Sequence, residues 1–174
     1  MSNKINTVDP SFFTQRAENV NREEVYHFNE EKGHSITYFP KFSQIKKDKL
    51  VVELIETIQY CKDNKMEYLT NDAHVDQYTG YLIIKYFTSL FDTLSKLSIE
   101  NNIDYMYELY DNGHFEFFLE DLFSLEEVEK VFNQLKKTKE LAMLYKKELD
   151  LHKQTIESQV QTKALKEKVL NKLN

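Results

Sequence analysis

From Ser124 to Leu173 the chain contains neither glycine nor proline. Lys, Glu, Leu and Gln dominate this stretch, and all four are strong helix formers. It begins with Ser124-Leu125-Glu126-Glu127, in which a serine is followed three residues later by a glutamate. This spacing is a capping box, because each side chain can accept a hydrogen bond from an amide that the first helical turn leaves unpaired. We therefore predict one uninterrupted helix from Ser124, about 70 Å long at 1.5 Å per residue.

The rest of the chain also favours helices. Only three glycines and two prolines occur in 174 residues, whereas sheets joined by tight turns need many such positions. Apolar residues recur at helical spacing in four segments: 49–63, 73–97, 100–111 and 114–123. In the last of these, Phe115-Glu116-Phe117 also fits a strand. The predicted fold class is all-α, a small multi-helix bundle with a flexible N-terminal arm and a long C-terminal helix.

We predict three parts. Residues 1–35 have few aliphatic side chains and form the flexible arm. Residues 36–150 form the helical core domain, in which Val128 to Leu149 of the long helix contribute a core stripe. Residues 151–174 form a helical extension whose apolar positions are too sparse to pack within a monomer. A strict heptad is not sustained there, so this part needs a partner chain or a second copy of the protein, or is a marginally stable helix in solvent.

Local sequence signals predict several helix ends, one extended segment and one close contact between helices. Pro40 interrupts alternating bulky residues, which predicts an extended segment that pins aromatic side chains onto the core. Asp48 is a plausible N-cap for the helix at 49–63, and Ser98 for the helix at 100–111. Gly113 is well placed as a left-handed C-terminal cap. Gly80 lies inside the most apolar helix, where it permits a close helix crossing.

Bulk properties exclude several classes of protein. No apolar run reaches the roughly 18 residues that a membrane span needs, and MSNKINTVDP has no apolar core of a secretory signal. Cys61 stands alone, which fits a reducing compartment and a buried core thiol. The net charge of −6 argues against nucleic acid as the main partner. We expect a cytoplasmic protein with no membrane contact.

The charge is distributed unevenly. Residues 99–130 contain ten Asp or Glu and one Lys, a net charge of −9. Residues 131–174 contain ten Lys and five Asp or Glu, a net charge of +5. Two interpretations remain open: a solvated acidic surface followed by a lysine-rich helix, or a partner surface with an electrostatic polarity.

No catalytic centre is visible, and we predict a protein that is not an enzyme and uses no cofactor. The five histidines include no pair at the i, i+4 spacing of a metalloprotease helix, so no metal site is predicted. His114-Phe115-Glu116 has the H-x-E form of zinc deaminases, but the P-C-x-x-C that must accompany it is missing. Carboxylates are so dense in 99–130 that chance proximity explains any pair.

Aromatic residues suggest a different role, because those of 103–123 crowd more faces than one helix can bury. Exposed aromatic side chains among acids are typical of a protein-binding patch, although a neighbouring element that covers them is an equally good interpretation. The partner-binding candidates, including the sparse apolar positions of the extension, are Tyr105, Tyr107, Tyr110, Phe117, Ile156, Val160, Leu165 and Val169.

Three phrases stand in a characteristic order between Ile36 and Leu149. They are Phe39-Pro40-Lys41-Phe42, Lys85-Tyr86-Phe87-Thr88 and Leu109-Tyr110-Asp111-Asn112-Gly113, and a long final helix follows them. In this arrangement the chain resembles tail assembly chaperones of phages that infect Gram-positive bacteria. The resemblance implies a small helical protein that coats the long helical tape-measure protein, keeps it soluble and promotes assembly of the tail tube.

The partners implied are the tape-measure protein and the tail-tube protein, with self-association through the C-terminal helix as a further expectation. The location implied is the cytoplasm of the infected cell. A competing hypothesis is an acidic inhibitor or immunity-type protein, in which the 99–130 surface mimics nucleic acid and blocks a basic partner.

Overall fold

The structure is a computed structural model that describes residues 19–29 and 32–173, with side chains described as far as residue 154. Most of this part of the chain is helical, as predicted. Its elements, in chain order, are strands β1 (Glu24–Asn29) and β2 (His34–Tyr38), helices α1 (Gln44–Asp63), α2 (Asp72–Phe87), α3 (Phe91–Leu94), α4 (Ile99–Asp111) and α5 (His114–Glu116), a π-helix (Phe117–Leu122) and helix α6 (Leu125–Leu173). The chain divides into two compact units, Met1–Phe132 and Asn133–Asn174.

A β-hairpin corrects the all-α prediction. β1 and β2 pair antiparallel, with Tyr26 opposite Ile36, inside the region predicted as the 1–35 arm. Ile36 is buried, and Tyr26 packs against Phe117 with ring centroids 5.0 Å apart. Packing against a segment some ninety residues further on thus stabilises strands that local composition does not favour. Residues 1–18 and 30–31 of the predicted arm lie outside the described residues.

The hairpin is joined to the end of α2. The Phe39 N–H donates to the Phe87 carbonyl at 2.9 Å, and the Ser89 N–H donates to the Thr37 carbonyl at 2.8 Å. The prediction of one helix over 73–97 is therefore wrong at its C-terminal end. α2 stops at Phe87 because Thr88 is extended, with φ −131° and ψ 171°, and bridges to Tyr38. The chain turns helical again only at α3.

α2 is the centre of the first unit. Every residue from Tyr78 to Phe87 is buried, which confirms that a helix apolar nearly all round is enclosed by other elements. Phe42 stacks on Phe87 with ring centroids 3.7 Å apart, so the segment around Pro40 does pin an aromatic side chain onto the core. A Cβ at Gly80 would lie 2.6 Å from Phe115 Cζ, which confirms the close approach expected there.

The helix ends agree with the sequence signals in two cases of three. The Ser98 side chain accepts from the Asn101 N–H at 3.3 Å, and Gly113 has φ +73°, as predicted. α1 begins earlier than predicted, at Gln44, and its cap is Ser43 rather than Asp48. The reason is that Ser43 follows the extended Pro40 segment directly, so the helix starts as soon as the chain leaves it.

α6 confirms the long uninterrupted helix, with 49 residues from Leu125 to Leu173. Its start is held by a different contact from the one predicted. The Glu127 carboxylate accepts the Phe42 N–H at 3.0 Å and pairs with Lys41 at 3.3 Å. The predicted core stripe is correct only in its first two turns, where Val128 and Val131 are buried. Further along the predicted stripe, in the second unit, Tyr145 and Leu149 are exposed.

Candidate protein-binding surfaces

The hairpin and the π-helix together form an aromatic cluster, which we call the aromatic patch: Tyr26, Phe28, His114 and Phe117. Phe117 lies 5.0 Å from Tyr26 and 5.6 Å from Phe28, centroid to centroid. His114 meets the Phe28 ring edge-on at 5.8 Å. Tilted and edge-on contacts are favourable because the electropositive edge of one aromatic ring then faces the electronegative face of the other.

Local geometry explains how these rings meet. Tyr26 and Phe28 are two residues apart on β1, so they leave the strand on the same face. The wider turn of the π-helix places the neighbouring Phe117 and Phe118 differently: Phe118 is buried, whereas Phe117 is half-buried under the hairpin rings. Single π-helical turns are rare and are frequently found at functional sites. Beneath them, Phe115 packs against Gly80.

The aromatic patch remains partly open to solvent. Tyr26, Phe28 and His114 are all exposed in the described structure. The same 114–122 segment carries exposed carboxylates at Glu116 and Glu120. Aromatic side chains exposed among acids can take up the apolar face and the basic flanks of a protein partner.

The predicted aromatic candidates do not all gather in this patch. Phe117 belongs to it. Tyr110 stacks on Phe115 at 4.1 Å and Tyr107 meets Tyr68 edge-on at 5.9 Å, so these two face different neighbours. Tyr105 is half-buried, and burial is the main cause that raises the pKa of its hydroxyl above the ordinary value.

The second unit carries a mainly apolar surface on α6, which we call the α6 stripe: Leu141, Leu144, Tyr145, Leu149 and Leu151. These side chains are between 54% and 65% exposed. At about 100° per residue they lie within roughly 160° of the helix circumference and so share one face, on which exposed Glu148 and His152 also lie. Met143 is equally exposed, at 59%, and lies on the opposite face. The predicted partner-binding side chains further along α6, Ile156, Val160, Leu165 and Val169, lie outside the described residues.

Sequence reasoning missed the two β1 aromatics and assigned part of the α6 stripe to the core. Alternation in Val25-Tyr26-His27-Phe28 was the available signal for a strand with an aromatic face. For α6, the spacing gave no signal, because Leu149 lies five full turns after buried Val131 and therefore at the same helix angle, yet it is exposed.

The described residues contain no group of three or more His, Cys, Asp or Glu that could hold a metal ion. Cys61 is buried, and that burial raises the pKa of its thiol, which keeps it in the poorly nucleophilic protonated form. Within the same part of the chain, no helix is long and apolar enough to cross a membrane.

Comparison with known proteins gives one match. The sequence profile of a family described as YomO matches residues 11–171, which is nearly the whole chain. No curated protein and no solved structure matches the chain. The match covers both compact units, so the aromatic patch and the α6 stripe both lie inside the matched region.

Proposed function

The chain belongs to the YomO family, and we propose that it is a non-catalytic protein that binds an amphipathic helical partner, in the manner of a phage tail assembly chaperone. The α6 stripe is the observation that carries this proposal. It presents five large apolar side chains to solvent on one face of a helix. Burying each such side chain is worth about 1.5–3 kcal/mol, so this face gains strongly from being covered by another apolar surface.

A helix is the partner shape that suits the α6 stripe best. Apolar residues spaced three and four apart on one helix pack against the same spacing on another, which is how amphipathic helices are recognised. A tape-measure protein is a long chain of such helices, and its apolar faces need to be covered until the tail tube forms around it. The chain would provide that cover, in the cytoplasm of the infected cell and without a cofactor.

The test is co-expression of the tagged chain with a phage tape-measure protein, a long helical protein, followed by affinity purification. Leu144→Glu places a charge in the α6 stripe, and we expect it to abolish recovery of the long protein. Met143→Glu is the matched control, because Met143 is an equally exposed apolar residue on the opposite face, and we expect recovery to persist. Equal recovery with both variants, each shown by circular dichroism to remain helical, would contradict the proposal.

A second function is favoured by one observation, the exposed carboxylates of α4 and the following segment. They are Asp104, Glu108, Asp111, Glu116, Glu120 and Asp121. An acidic inhibitor that blocks a basic protein would use this surface and would tolerate truncation after Asp150. Its binding would weaken steeply between low and physiological salt, since exposed charges are screened beyond about 8–10 Å. Binding of the helical partner through the α6 stripe should change little over the same range.

A further inference from the structure

A groove in the first unit, separate from the aromatic patch and the α6 stripe, has a volume of about 530 Å³. It lies between α1 and the α3–α4 region, and residues of α2 form its floor. Val52 and Leu97 line it, and they are 53% and 36% exposed despite being apolar. Concave sites of 300–1,000 Å³ with apolar walls and a few fixed polar groups are the usual form of a binding pocket.

The polar group on the floor is the Glu53 carboxylate. It accepts from Lys85 Nζ at 2.6 Å through one oxygen and from the Tyr86 hydroxyl at 2.7 Å through the other. The Lys85 side chain is only 4% exposed, whereas that of Glu53 is 24% exposed. A carboxylate offers about four acceptor positions, so these two bonds fix its orientation and leave acceptor capacity on its open side.

Fold stability alone does not explain this arrangement. A buried ion pair is often no better for stability than apolar side chains of the same volume, because removing both charges from water is costly. α2 is otherwise apolar nearly all round, and Lys85 is the charged residue within its buried run from Tyr78 to Phe87. An ion pair with one partner facing an open groove is better explained as the fixed polar part of a binding site.

The lining favours a cationic ligand. Acidic Asp48, Glu53 and Glu56 outnumber basic Lys49 and Lys85. The side-chain amide of Asn102 also lines the groove, but its Nδ2 already donates hydrogen bonds to the carbonyls of Leu97 and Ser98, at 3.2 and 2.8 Å. It is therefore not available as a donor to an anionic ligand.

We propose that this groove binds a lysine side chain of a partner protein, with the ammonium on Glu53 and the methylene groups against Val52 and Leu97. Lysine suits a site with an apolar wall above a carboxylate. Its four methylene groups can pack against the wall while its ammonium group pairs with the carboxylate. A polypeptide is favoured over a free amine because Ile45 and Ile55 extend the apolar face of α1 beside Val52 and are exposed. The site does not depend on the α6 stripe or on its helical partner.

The test is a titration of the ¹⁵N-labelled full chain, followed by amide chemical shifts, with three capped peptides: Leu-Lys-Leu, Leu-norleucine-Leu and Leu-Glu-Leu. We expect saturable shifts at residues 52–57 and 86 with the lysine peptide. Norleucine keeps the stem and lacks the charge, so its peptide should bind about tenfold more weakly, as expected for loss of a charge-assisted bond. n-Butylammonium, which has the charged stem without a peptide, should bind more weakly than the lysine peptide.

Variants locate the contact. Glu53→Gln should weaken the lysine peptide about tenfold and leave the norleucine peptide unchanged. Glu67→Gln removes an exposed acid between α1 and α2, outside the groove, and should change neither. Equal binding of the lysine and norleucine peptides, preference for the glutamate peptide, or absence of saturable shifts would each overturn the proposal. Tighter binding of butylammonium than of the peptide would overturn the choice of a protein partner. The three-peptide comparison on the unmodified chain decides the matter even if Glu53→Gln fails to fold.

Discussion

The substitution Gly80→Ala should change the stability of the fold through two opposing effects, helix propensity and steric overlap, and the structure allows both to be estimated. Gly80 lies inside α2, where alanine is favoured over glycine by about 1 kcal/mol in an ordinary helix. At this position, however, the new Cβ would lie 2.6 Å from Phe115 Cζ and 2.9 Å from Leu119 Cδ1. The first distance is well inside contact range, so either the ring or the helix must move.

The ring cannot move freely. Phe115 is buried and stacks on Tyr110 with centroids 4.1 Å apart. Overpacking a well-filled core costs about 1–3 kcal/mol, and we take about 2 kcal/mol here because two side chains are displaced. Subtracting the gain in helix propensity leaves a net destabilisation of about 1 kcal/mol. The substitution should therefore lower stability, although propensity alone predicts the opposite sign.

The measurement is urea unfolding of four chains: the original, Gly80→Ala, Phe115→Leu and the double variant. Leucine lacks the distal ring atoms, so Gly80→Ala should become neutral or stabilising in that background, with a coupling energy of at least about 1 kcal/mol. Gly113→Ala is the control. It has φ +73° and open space around the missing Cβ, so its cost comes from the left-handed backbone and should not depend on residue 115. A more stable Gly80→Ala chain, or additive effects of the two substitutions, would refute the close approach.

Three further predictions concern single groups. Burial acts to raise the pKa of Glu127, but hydrogen bonds from Lys130 and the Phe42 N–H outweigh it and hold the pKa below the ordinary 4.5. Glu127 therefore stabilises the fold above pH 4.5, and this contribution is lost as the pH falls through its lowered pKa. Glu127→Gln should cost about 1.5–3 kcal/mol at pH 7 and flatten the loss of stability between pH 5 and 3; an unchanged acid profile would contradict this. Ser98→Ala removes the α4 cap and should lower the free energy of unfolding by about 1 kcal/mol, and no change in the urea midpoint would show that the cap is unimportant. Cys61 should react with a thiol reagent at least about a hundredfold more slowly in the folded chain than in urea, since it is buried and its pKa is raised by burial; rapid labelling of the native protein would contradict the packing of α1.

Sequence reasoning located the elements whose signals are local. The all-round apolar character of α2, the serine before α4, the left-handed Gly113 and the long α6 each depend on residues within a few positions of one another. For the hairpin, the local signal was only the short alternation from Val25 to Phe28, and the packing of Tyr26 and Phe28 against Phe117 that stabilises it is not local. The same limit explains Glu127. Its spacing from Ser124 indicated a capping box, whereas its carboxylate binds an amide 85 positions earlier in the chain.

The sequence allowed the chemical character of the candidate surfaces to be predicted better than their positions in the fold. An excess of aromatic residues in 103–123 indicated that some would remain exposed, and Phe117 is one of those in the aromatic patch. Which others stay exposed depends on neighbours such as Tyr68, which covers part of Tyr107. The α6 stripe required knowing where the buried part of the helix ends, and that boundary, near Phe132, is set by tertiary packing rather than by a break in the apolar spacing.

The join between the hairpin and the end of α2 has a consequence for how this chain can be shortened. Thr37 bonds to Ser89, 52 positions away, through both the backbone and the Ser89 side chain. Closing a loop of that length has an entropic cost that must be met before these bonds form, so the hairpin should join the end of α2 only after α1 and α2 have packed. A fragment that begins at Ser43, a natural choice from the helix pattern, would lack these pairings, along with buried Ile36 and Phe42. We expect a minimal folded fragment to begin before β1.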